Sequence, residues 1–144
     1  MSRLLFAAVL LLASACKTTA PASPAAGNEA ISLAYQQPLT VASPAGDIQL
    51  EFTGLEDSRC PEGGQCIWAG EARVTLVLTA AATAPQTVRL GLSPGPKPAG
   101  SPPDSLSFTL HQRPYWVRLL AVTPYPSLSG TKGPRVATVR LRAQ

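Results

Sequence analysis

The chain has 144 residues, 45% of them hydrophobic and 14% charged, with a formal net charge of +4 at pH 7. That length supports one domain with a real core, and a single histidine with three cysteines leaves little for a metal centre that wants four ligands. The charge is unevenly spread: from Glu29 to Glu71 seven acidic residues face only Arg59, and from Ala72 onward nine basic residues face only Asp104. Pairing of the two halves across neighbouring strands is the expectation. The alternative is a basic face for an anionic envelope polymer or lipid headgroups.

Arg3, the apolar run Leu4 to Leu12 and the small residues Ala13-Ser14-Ala15 read as an export signal over residues 1–15. The apolar run is far shorter than the ~20 residues that span a bilayer. Leu11-Leu12-Ala13-Ser14-Ala15-Cys16 resembles the lipobox of bacterial lipoprotein precursors, with Ala13 where that family usually carries leucine. The resemblance implies cleavage before Cys16 and acylation of that cysteine; Ala13-Ser14-Ala15 also fits ordinary signal cleavage at the same bond. Cysteine parity bears on the choice, because a Cys60–Cys66 pair leaves Cys16 as the odd thiol, and lipidation accounts for it. Lys17 stands where aspartate favours inner-membrane retention among such lipoproteins. The resemblance therefore implies an outer-membrane protein facing the periplasm, with the membrane as its first partner. Residues 16–30 read as the acylated cysteine and a disordered linker, too poor in bulky apolar side chains to offset ordering entropy. Such a coil holds the domain on the order of 20 Å from its anchor.

From Ile31 apolar residues recur at every second position. Ile31-Leu33-Tyr35 and Ile48-Leu50-Phe52 predict strands, and Leu39-Val41 a short strand or a continuation of the first past Pro38, with Ser43 to Asp47 as a turn and Gly54 as a bulge or bend. Ala72-Val74-Leu76-Leu78 predicts the longest strand, and Val88-Leu90-Leu92 the next. Ser93 to Ser105 holds five prolines and two glycines and reads as an exposed loop. Leu106-Phe108-Leu110 alternates again. Tyr115 to Val122 is apolar almost throughout, as a central strand would be, and Ala137-Val139-Leu141 closes the series. No helical stripe is present. Residues 31–144 therefore predict an all-β domain: one antiparallel β-sandwich, or a partly closed barrel, of seven or eight strands.

The stretch Asp57 to Ala72 concentrates two cysteines, several charges, Trp68 and three glycines. Export makes a Cys60–Cys66 disulfide the default. Cys60-Pro61-Glu62-Gly63 suits a β-turn, and Gly64 can supply a positive φ that returns the chain. A redox pair would place two residues between the cysteines at a helix start, which this spacing does not. A zinc site would need His111 and further ligands from afar. Pro61, Glu62, Gly63, Gly64, Gln65 and Trp68 form the candidate binding loop, and a protease inhibitor would use residues 60–66 as its inserted segment. Trp68 is expected to cap the core or lie over the loop. Asp57, Arg59, Glu71 and Arg73 alternate in sign and predict a local ion-pair network.

Arg-Cys-Pro, a short loop, then Cys-x-Trp-Ala-Gly resembles a motif of small secreted bacterial lipoproteins, as does the apolar strand from Tyr115 ending in Pro124-Tyr125-Pro126. The resemblance spans about residues 31–142 and implies a β-rich envelope domain without implying an activity. Arg118, Arg140, Arg142 and Trp116 could share one face as a glycan or headgroup platform; arginines that blunt an edge strand are the alternative. No glycine-rich phosphate loop, cofactor motif or nucleic-acid-binding motif is present. The sequence reads as a non-catalytic binding or structural module, with an envelope protein or anionic polymer as the second partner.

Overall fold

The computed structural model describes residues 26–130 and 132–144. The residues read as an export signal, Cys16 and those read as a linker up to residue 25 lie outside the described residues. Eight strands form the domain: β1 (Ile31–Ala34), β2 (Pro38–Val41), β3 (Ile48–Asp57), β4 (Ala72–Ala80), β5 (Gln86–Leu92), β6 (Ser105–Leu110), β7 (Arg113–Thr123) and β8 (Val136–Ala143). They build two four-stranded antiparallel sheets, in the orders β1-β8-β7-β6 and β2-β3-β4-β5, packed as a sandwich.

Alternation explains the core directly. Ile48, Leu50 and Phe52 on β3, Val74, Leu76 and Leu78 on β4, and Val88 and Leu90 on β5 point inward from one sheet. Ile31, Leu33, Val117, Leu119, Val139 and Leu141 meet them from the other, all buried. Each such side chain contributes roughly 1.5–3 kcal/mol by leaving water. The bulge falls between Phe52 and Gly54, as its glycine predicts. A second bulge between Leu119 and Ala121 moves the inward-facing row from Ala121 to Val122, and β7 is indeed an interior strand.

Two crossings join the sheets. At the first, Tyr35 N–H donates to Arg135 O (2.8 Å) and Gln36 N–H to Phe52 O (2.8 Å), so three residues bridge both layers. Leu39-Val41 is thus a strand of the opposite sheet and not a continuation of β1. At the far end Tyr115, fully buried, reaches Ser43 with its hydroxyl (2.9 Å) and stacks on Phe108.

Ala26 and Gly27, which the sequence reading leaves in the linker, are already docked. Ala26 N–H donates to Ala42 O (2.7 Å) and Gly27 N–H to Leu141 O (2.8 Å). The chain therefore enters at the end of the sandwich that holds the 43–47 turn, the 111–112 turn and Gln144. The Asp57–Ala72 stretch lies at the other end, about 30 Å away along β3 at ~3.3 Å per residue.

Candidate functional site

The loop between β3 and β4 is fixed along both of its flanks. Cys60 and Cys66 form the expected disulfide, with Cα atoms 5.9 Å apart. Cys60 N–H donates to Ala69 O and Ser58 N–H to Glu71 O, both 2.9 Å, continuing the β3–β4 ladder past the strand ends. On one side the loop meets residues 124–130: Glu62 N–H donates to Pro126 O (2.9 Å). On the other it meets residues 93–104, where the Ser93 hydroxyl donates to Gly70 O (3.0 Å).

The turn inside the disulfide differs from expectation by one residue. Gly64 N–H donates to Pro61 O (2.9 Å), so the turn is Pro61 to Gly64, with Gly63 at its third position and φ +80°. That is the type II pattern, which asks for a positive φ at that place. The positive φ belongs to Gly63 and not to Gly64. Gly64 is needed for closeness: a Cβ there would lie 2.9 Å from Pro61 O. Gly70 is under a harder constraint, with φ +72° and a hypothetical Cβ only 1.9 Å from Ser58 O.

The predicted ion pairs exist, but two of their members are buried, which charge alternation alone does not reveal. The Arg59 side chain is 4% exposed. Its Nε and Nη2 donate to the two oxygens of Asp57 (2.8 and 2.6 Å), and Nη1 donates to Val122 O (2.9 Å). The guanidinium also lies 4.4 Å from the centre of the Tyr125 ring. Arg59 therefore latches the loop to the end of β7 and the segment that follows.

Glu71 is fully buried and accepts from Arg73 Nε at 2.5 Å. Burial pushes its pKa up, but the Ser101 hydroxyl, Arg73 and Lys97 outweigh that and hold the carboxyl below its ordinary 4.5. Neither Glu71 Oε2 nor Ser101 Oγ has another partner, so each is the natural complement of the other.

What these fastenings leave outside is an apolar edge. Ile67 is 105% exposed and Trp68 52%, and Leu128 is exposed at the same end of the sandwich. Trp68 therefore does not cap the core; the disulfide and the Gly70 turn hold it out of the sandwich. Glu62, Gln65 and Cys66 are exposed beside it, while Pro61 and Gly64 are half-buried. Sequence reasoning missed Ile67 and Leu128. An isolated branched residue in a loop is the signal that could have marked them.

His111 sits in the tight β6–β7 turn with Gln112, both at positive φ (49° and 61°), far from the loop. Among the described residues no three His, Cys, Asp or Glu side chains converge as a metal site. The expected pairing between the acidic and basic halves is sparse. Among the described residues Arg73 alone of the nine later cations pairs with the acidic half, through Glu71 and more loosely Glu56 (3.9 Å). Arg118 pairs within its own half, with Asp104 at 3.2 Å. Comparison with protein-family models, curated proteins and solved structures gives no match.

Proposed function

We propose that the protein is a lipid-anchored, non-catalytic module of the bacterial envelope that binds a protein partner through the Gln65–Trp68 edge of its clamped loop. The anchor reading comes from the export signal and Cys16, with placement in the outer membrane from Lys17. One observation carries the binding reading: Ile67 and Trp68 are presented to solvent on a backbone fixed by a disulfide, a buried arginine and ladder hydrogen bonds. Ordering this loop on binding therefore costs little entropy, and a tryptophan on a rigid edge is the kind of anchor that dominates interface energetics. The chain enters at the opposite end of the sandwich, so an anchored molecule would hold this edge away from the bilayer.

Capture from the native envelope tests it, comparing the anchored protein with an Ile67→Ser/Trp68→Ser variant. The wild type should enrich a partner that the variant does not, at equal thermal stability. Equal recovery by both would sink the loop reading. Intact mass of the exported protein tests the anchor, through acyl mass on Cys16.

A protease inhibitor remains the second reading, supported by the same clamped edge. Its inserted segment would be Gln65–Trp68, because Pro61 to Gly64 is folded back and bonded to Pro126. Inhibition of an envelope protease that disappears in the same variant would favour it.

A further inference from the structure

The outer face of the β1-β8-β7-β6 sheet carries a cluster of three arginines, of which one, Arg118, is paired with an acid. Register places Arg118 directly opposite Arg140 and Trp116 directly opposite Arg142 on the neighbouring strands β7 and β8. Like charges in directly opposed positions destabilise a sheet, so this arrangement works against the fold. β7 and β8 are the interior strands of their sheet, but β1 pairs with β8 only from Val136 to Val139, so beside Arg140 and Arg142 it is the incoming chain at Gly27, bonded to Leu141 O, and not a strand that lies along β8. Asp104 answers Arg118, but among the described residues neither Arg140 nor Arg142 has an acidic partner. Arg140 Nε is buried with no acceptor. The Arg142 guanidinium lies 6.0 Å from the Trp116 ring centre, above a shallow depression lined by Trp116, Arg142, Ala143 and Gln144.

The place of this cluster identifies its partner. Gly27 N–H is bonded to Leu141 O, so the incoming chain runs past the residue between Arg140 and Arg142. The ten steps from Cys16 to Ala26, read from the sequence as a linker, would reach roughly 17 Å, which would put this face within range of the surface that holds the acyl group. Guanidinium groups beside an amphipathic indole suit a phospholipid interface, where arginines meet phosphates and tryptophan sits at headgroup level. An acidic polymer could use a basic strip anywhere on the molecule, and nothing would tie it to the point of chain entry.

We infer that the face formed by Trp116, Arg118, Arg140 and Arg142 docks on the anionic phospholipid surface in which the protein's own anchor is held. This rests on the lipid-anchor reading above. Docking would give the domain a second membrane contact and a defined orientation.

The test uses the unacylated chain from Lys17 onward, which keeps every buried core residue, all of them between Ile31 and Leu141. Cosedimentation is measured with vesicles half phosphatidylglycerol and with vesicles of phosphatidylcholine alone. Binding should favour the anionic vesicles, weaken as salt is raised, and fall by at least about tenfold in Arg140→Gln/Arg142→Gln, at about fivefold for each basic residue lost. That variant should melt no lower than the wild type, since it relieves the Arg118–Arg140 opposition. If it does melt lower, the exposed single change Arg142→Glu carries the same test. Equal binding to both vesicles, anionic binding untouched by the substitutions, or binding to polygalacturonate without binding to vesicles would each overturn the inference. Intact mass of the exported protein separates the two readings: vesicle binding with no acyl group on Cys16 leaves the lipid surface standing but removes the anchor.

Discussion

Replacing Arg59 by alanine isolates what holds the loop in place. The substitution removes a guanidinium with a 4% exposed side chain and leaves Asp57, whose side chain is 17% exposed, without its counter-ion. It also strips Val122 O of its donor. Breaking a buried pair from one side costs ~3–5 kcal/mol. Asp57 keeps some contact with water, so the low end, about 3 kcal/mol, is the expected loss. Arg59→Lys keeps the charge but loses the fork that serves Asp57 and Val122 together, and should cost about half as much. In Asp57→Asn/Arg59→Ala no stranded carboxylate remains, so its loss should fall short of the summed single losses by ~1–3 kcal/mol. Urea unfolding at neutral pH compares the wild type with these three variants and with Asp57→Asn alone, and a loss of 3 kcal/mol lowers the thermal midpoint by roughly 10–15 °C. A loss below about 1 kcal/mol for Arg59→Ala, or strict additivity in the double variant, would mean that the latch contributes no more than a surface ion pair. The loop would then be held by its disulfide and its backbone hydrogen bonds.

Reducing the Cys60–Cys66 bond, or changing both residues to serine, should cost ~2.4 kcal/mol from loop closure alone, read as a lower urea midpoint with an unchanged slope. Gly70→Ala should be worse than its size implies, because φ is +72° and the new Cβ would meet Ser58 O at 1.9 Å; a thermal midpoint within a few degrees of wild type would contradict that. Glu71 gives a pH prediction. Its folded pKa is held below 4.5, so its stabilisation is complete above that value and is lost as pH falls through the folded pKa. Glu71→Gln should be less stable at neutral pH and should flatten the decline of stability below pH 4.5; an unchanged acid limb would show that other carboxylates set it.

Strands were legible in this chain because each buries one face, and a period of two is the trace that burial leaves in sequence. Ile48-Leu50-Phe52 and Ala72-Val74-Leu76-Leu78 show it without interruption, and both are strands whose alternate residues are buried. The disulfide was legible for a different reason: reading the chain as exported makes a bond between its two neighbouring cysteines the default before any geometry is known. Partners distant along the chain were not legible. Arg59 finds Val122 O, 63 residues on, and nothing about an arginine beside a cysteine foretells a carbonyl at the end of another sheet's strand. The adjacency of β7 and β8 is what sets Arg118 against Arg140, so a spread of cations in sequence became one face only through topology. Of the two places expected for Trp68, capping the core and lying over the loop, the first does not hold, because Gly70 and the disulfide fix the backbone so that the ring stays out of the sandwich. The same few residues thus divide between two tasks. Arg59, Gly70 and Glu71 are held inward by groups elsewhere in the fold, and because they are, Ile67 and Trp68 can be kept in water without collapsing onto the sandwich.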